Sequence, residues 1–122
     1  MSGTVTKSEL TAFSVKKIVF TWLSAADGTA TSTTTNPFTG LIQRVVQIPD
    51  GGATQPTNLY DVVVNDSDGS DVLHGLGADL SNAATTVKDY TDGVGAVVNS
   101  TLSLSVTNAG AAKGGKTIIY LR

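Results

Sequence analysis

Between Thr101 and Thr107 the chain reads Thr-Leu-Ser-Leu-Ser-Val-Thr, with an apolar side chain at every second position. Successive residues of a strand point to opposite faces, so Leu102, Leu104 and Val106 make a dry face and the hydroxyl residues a wet one. No helix accommodates that period. Asn108 to Gly115 supplies permissive turn residues, and Lys116 to Leu121 reads as a returning strand. The simplest expectation is an antiparallel hairpin with a long glycine-rich loop.

The same period recurs upstream. In Val15 to Leu23, Ile18, Phe20 and Trp22 share one face, while Lys17, Val19, Thr21 and Leu23 share the other, so the strand is expected to be partly covered on both sides. Leu41 to Ile48 places Ile42, Val46 and Ile48 on one face with Arg44 between them, and Leu59 to Asn65 aligns Tyr60, Val62 and Val64. Thr31 to Thr35 and part of Ser81 to Asp89 add weaker strand patterns. Turn chemistry separates them: Asp27-Gly28, Asn36-Pro37, Pro49-Asp-Gly-Gly52 and Asp68-Gly69. About eight candidate strands at spacings of roughly ten to twenty residues, with no helical period, predict an all-β fold. The expected architecture is a single-domain antiparallel β-sandwich, jelly-roll-like or another Greek key. Its 122 residues suffice to bury a core without staples. Residues 1–10 are polar and read as an N-terminal arm or loose edge, leaving 11–122 for the sandwich.

Composition removes several functions. There is no cysteine, hence no disulfide or thiolate metal cluster, and the formal net charge of −2 disfavours nucleic acid and anionic lipid as partners. No run approaches the ~18 apolar residues of a membrane span, and the N-terminus lacks the basic start and apolar run of a secretory signal.

Four constellations invite a chemical reading. Asp66, Asp68 and Asp71 alternate on a tight turn, as carboxylates do around calcium. Yet the sixth and twelfth positions of an EF-hand loop fall on Asp71 and Gly77, and Asp68-Gly69 is a hairpin turn signal in its own right. His74, the one histidine, has no Gly-x-Ser-x-Gly elbow to serve. Gly110 to Thr117 spells a phosphate loop, Gly-x4-Gly-Lys-Thr, but a strand-like Ile118 to Arg122 follows where a helix is required. Glu9 is the one glutamate, which rules out a Glu-Glu glycosidase pair. The chain therefore reads as no enzyme, with no cofactor and no metal beyond the weak candidates at Asp66, Asp68 and Asp71. Trp22 and Phe38 read first as core filling and Arg44 as a snorkelling surface arginine, and the three are also the candidates for an interface.

Two stretches carry a resemblance. One is Tyr60-Asp-Val-Val-Val-Asn-Asp-Ser-Asp-Gly-Ser-Asp-Val-Leu-His-Gly-Leu-Gly-Ala-Asp-Leu-Ser81; the other is Val98 to Gly110 together with Ile118-Ile-Tyr-Leu-Arg122. Together, over about the last half of the chain, they resemble small virion proteins of tailed bacteriophages. The resemblance implies a β-sandwich used in building the particle: a capsid decoration (cement) protein, acting as a homotrimer on the major capsid protein and located in the virion after assembly in the host cytoplasm. Tail and head-tail connector components are the neighbouring alternatives, and a carbohydrate-binding module is an alternative of another class. The adhesive parts expected of a cement protein are its projecting segments, here 1–10, 24–40 and 50–58.

Overall fold

The computed structural model describes residues 3–122; Met1 and Ser2 of the expected arm lie outside the described residues. Nine strands follow one another: β1 (Thr4–Ala12), β2 (Val15–Leu23), β3 (Ala30–Thr33), β4 (Phe38–Pro49), β5 (Asp61–Asn65), β6 (Thr86–Asp89), β7 (Ala96–Ser100), β8 (Ser103–Thr107) and β9 (Gly114–Leu121). The two helical pieces are single 3-10 turns, Gly52–Thr54 and Tyr90–Asp92. The strands make two antiparallel sheets. The larger is six-stranded, in the order β1-β2-β9-β4-β6 with β7 also on β4; the smaller is β3-β8-β5. The all-β sandwich expected from the pattern is the fold.

The core lies between the sheets. Ile18, Phe20 and Trp22 of β2, Ile119 and Leu121 of β9, and Ile42 and Val45 of β4 face Val62 and Val64 of β5 and Leu104 and Val106 of β8, all buried. Each such side chain contributes about 1.5–3 kcal/mol by leaving water. Trp22 packs on Tyr60, ring centroids 5.6 Å apart, and abuts Gly115. A Cβ at Gly115 would stand 2.7 Å from the indole, so only glycine lets β9 pass the tryptophan. Trp22 Nε1, Tyr60 OH and Gln47 Nε2 have no hydrogen-bond partner among the described residues.

Three expectations are corrected. The segment from Thr101 to Leu121 is not a hairpin: β8 pairs with β3 and β5, whereas β9 pairs with β2 and β4 in the opposite sheet. Alternation identified both strands but carries no information about which strands pair. Second, strict alternation along β4 fails at a bulge between Ile42 and Arg44, which turns Ile42, Val45 and Gln47 inward and Arg44, Val46 and Ile48 outward.

Third, the N-terminal segment is a strand rather than a free arm. β1 pairs with β2 along its whole length, from Thr4↔Leu23 to Ala12↔Val15. It is also pinned from its inner side, where the Glu9 carboxylate accepts from Thr35 N, Asn36 N and Asn36 Nδ2 at 3.0, 2.9 and 3.2 Å. Lys7 Nζ donates to the Thr33 carbonyl at 2.6 Å. Inward-facing charges of this kind are one way to keep an edge strand from recruiting another. The threonine-rich connection is likewise more structured than a loop, since it contains β3 and its Phe38 opens β4 from a buried position.

Candidate interaction face

Register across the larger sheet assembles its outer face residue by residue. Ser8, Val19, Ile118, Val46 and Val87 form one continuous row over five strands. The row on one side is Leu10, Lys17, Tyr120, Arg44 and Asp89; on the other side it is Thr6, Thr21, Lys116 and Ile48. Beyond the first of these, Leu41 exchanges both backbone hydrogen bonds with Arg122 and pairs with Ala96. Leu10, Val15, Leu23, Leu41 and Val87 are exposed on this face, and Val19, Val46, Ile48 and Ile118 are half-buried. A solvent-facing sheet surface is ordinarily polar. This one is apolar along its centre.

Cations border the stripe. Tyr120 lies between Arg44, whose Cζ is 4.4 Å from the ring centroid, and Lys17, whose Nζ is 5.7 Å from it. Both distances suit cation–π attraction, which holds the two charged groups close to the face rather than free in water. Lys116 stands two residues along β9 from Ile118 on the same side. Asp89 is the row's anion, cross-strand from Arg44. The Thr91 hydroxyl and then the Thr91 N–H hold its carboxyl below the usual aspartate range, so it stays charged at neutral pH.

The outer face of the smaller sheet obeys the ordinary rule. Its rows are Thr31-Ser105-Val63 and Thr33-Ser103-Asn65, with Thr107 beside Asp61. Val63 is the one large apolar residue among them.

Of the residues singled out from the sequence, Trp22 and Phe38 are core: 2% and 6% exposed, they have no surface left for a partner. Arg44 alone of the three is on the surface. Asp66 and Asp71 spend their carboxylates on their own backbone, Asp66 accepting from Asp68 N and Ser70 N and Asp71 from Leu73 N and Gly75 N. Among the described residues no three carboxylate or imidazole groups converge on a position for a metal ion. His74 Nδ1 donates to the Gly93 carbonyl and so ties two loops together.

The phosphate-loop spelling dissolves into β9. Lys116 belongs to the open face, and buried Thr117 donates to Gln47 Oε1 at 2.6 Å on the inner one. The exposed aromatics do not line up as a sugar platform, because Phe13 caps the β1–β2 turn, Tyr90 lies past β6 at the other edge and Tyr120 is flanked by cations. Two surface clefts open beside Asp50 and Gln55 (about 230 Å³) and beside Asp79 and Lys88 (about 380 Å³), and Asp50 accepts from the Thr54 hydroxyl at 3.1 Å.

The residues missed by sequence reading are Ile118, Val46 and Val87. Their signal was present as single apolar positions of β9, β4 and β6, but it becomes a surface only once the strand order is known. No protein-family model, curated protein or solved structure matches the chain.

Proposed function

We propose that this chain is a non-catalytic virion structural protein of the decoration type, which binds the outer surface of a capsid as an oligomer and stabilises the junctions between capsomers. One observation carries the reading: the outer face of the larger sheet is apolar and cation-bordered, while the matching face of the smaller sheet is polar. A protein that works by contact needs such a surface, and burying it against neighbours stabilises whatever assembly contains it. The resemblance of Tyr60 to Ser81 and of the C-terminal strands to small phage virion proteins supplies the particle as the setting.

The test is copy number and occupancy. Particles purified from infected cells are expected to carry the protein in hundreds of copies, and stripped particles to rebind it and become more heat-resistant. About six or twelve copies per particle would move it to the tail or connector, since closed rings fix the count. Absence from particles overturns the virion reading.

A further inference from the structure

Resting on that reading of the open face as a contact surface, we infer that the face is covered by a different protein, whose own surface is apolar at its centre and carries Asp or Glu side chains opposite Lys17, Arg44 and Lys116. The ground is the charge on the face. The whole chain has ten acidic residues to eight basic ones. On the rows of this face the balance is reversed, with those three cations and the single anion Asp89. The outer rows of the smaller sheet carry no cation. The three cations are also unspent. Lys7, Lys16 and Lys113 each donate to a backbone carbonyl of their own chain, whereas among the described residues Lys17, Arg44 and Lys116 donate no side-chain hydrogen bond. Asp89 is already engaged, its Oδ1 accepting from the Thr91 N–H and hydroxyl. Taking a cation out of water is costly unless an anion meets it. Whatever buries Val19, Ile118, Val46 and Val87 must therefore bring carboxylates to the flanks.

Register fixes where those carboxylates stand. Lys17 and Arg44 flank Tyr120 in one row, two strand spacings or ~10 Å apart. Lys116 lies on the same strand as Tyr120, ~14 Å away on the far side of Ile118. The partner's acidic groups thus straddle an apolar strip. A second copy of this chain fails the requirement on this face, because it brings three more cations and one carboxylate. Duplex nucleic acid fails it at the centre, where four aliphatic side chains would face a phosphate-lined surface. An anionic bilayer gains only about 1 kcal/mol from each cation and is opposed by Asp89. The area suits a protein. Five strands at ~4.8 Å spacing and about seven residues at ~3.4 Å give roughly 600 Å² on this chain. The contact then buries about 1,200 Å² in all, above the ~1,000 Å² expected of a specific interface.

Zero-length cross-linking tests this, because a carbodiimide joins an amine only to a carboxylate in direct contact with it. Purified particles carrying the protein are treated and digested, and the linked peptides are identified by mass spectrometry. Lys17 and Lys116 are expected to be joined to Asp or Glu of another virion protein. Lys17→Arg with Lys116→Arg is expected to abolish those links while keeping particle affinity within about twofold, since the charges remain. Lys17→Gln, Arg44→Gln and Lys116→Gln together are expected to weaken rebinding to stripped particles about 20-fold and to flatten its dependence on salt. Lys113→Gln, away from the face, is expected to change neither. Links from Lys17 or Lys116 to an isotope-labelled second copy of this chain, in place of another protein, overturn the inference. So does a triple variant with unchanged affinity and salt dependence; if Val46→Asp with Ile118→Asp still fails to bind, the decoration reading then stands without it. Vesicles of phosphatidylserine and phosphatidylcholine, or a short DNA duplex, that bind the native chain and not the triple variant assign the face to lipid or nucleic acid and overturn it as well. If particles carry none of the protein, the decoration reading fails by itself. The same cross-linking in a lysate of infected cells then bears on this inference alone, and the lack of any link from Lys17 or Lys116 to another protein overturns it.

Discussion

The two sheets of this sandwich solve the same problem on their inner faces and different problems on their outer ones. Inside, both are packed with apolar side chains, Ile, Leu, Val and aromatics from the larger sheet and Val and Leu from the smaller. Outside, the smaller sheet carries Thr31, Thr33, Ser103, Ser105 and Thr107, while the larger carries Val19, Val46, Val87 and Ile118. Solvent is common to both, so stability of the isolated domain does not explain the difference. Apolar side chains on the larger sheet gain nothing until something covers them. The smaller sheet serves as an internal control.

The sharpest way to break this comparison is to make the larger face resemble the smaller. Val46→Asp with Ile118→Asp is expected to lower particle affinity about 100-fold, roughly 2.7 kcal/mol, in a rebinding assay. Ser105→Asp on the smaller sheet is expected to leave affinity within about twofold. Equal losses from both would erase the distinction between the faces.

Next in size is a change between the sheets. Gly115→Ala forces a methyl group into the Trp22 indole and toward the Ile48 carbonyl, with no flexible neighbour to yield. Overpacking of this kind costs about 1–3 kcal/mol, readable as a lower denaturant midpoint. A stability change below ~0.5 kcal/mol would mean the tryptophan does not seat as described.

A smaller effect is expected at the edge of the larger sheet. Burial pushes the Glu9 carboxyl up, but the Thr35 and Asn36 N–H groups, the Asn36 amide and nearby Lys7 outweigh it and hold the group below its ordinary 4.5. A depressed carboxyl stabilises the fold above its unfolded value and loses that contribution as the pH falls through the folded value. Glu9→Gln should therefore cost about 0.5 kcal/mol at pH 7 and progressively less below pH 4.5, followed by urea unfolding across that range. A cost that does not change with pH would assign the loss to packing alone.

The smallest change belongs to Tyr60, whose hydroxyl is buried without a partner and whose ionisation burial raises to about 12 from 10.0. The unfolded chain releases that proton first, so folding stability falls as pH rises between those values. Tyr60→Phe should be neutral or slightly stabilising at pH 7 and should flatten the alkaline decline. Significant destabilisation at pH 7 would reveal a use for the hydroxyl.

Alternation made the strands legible: Val15 to Leu23 is a strand over its whole length, and the runs Thr101 to Thr107 and Leu59 to Asn65 contain β8 (Ser103–Thr107) and β5 (Asp61–Asn65). Pairing was not legible, because hydrophobic period names a face and never a neighbour. That is why β8 and β9 read as a hairpin and lie in different sheets. The bulge in β4 has no apolar or glycine signal at Gln43, so Val45 and Val46 exchanged faces unannounced. Polar β1 read as an arm, since strand edges held by Glu9 and Lys7 look like solvated chain. Trp22 and Phe38 fill the core, the plainer of the two readings that their size allowed, and the open face is built instead from aliphatic residues that any strand might carry.

The placement of β9 governs when the molecule becomes competent. It lies between β2 and β4 and supplies Ile119 to the interior and Ile118 to the exterior, side by side on one short segment. During translation the earlier strands have left the ribosome before this wedge emerges, so the larger sheet stays split until then. Interior and apolar exterior are completed by the same late event, and a chain that has not yet placed β9 has neither.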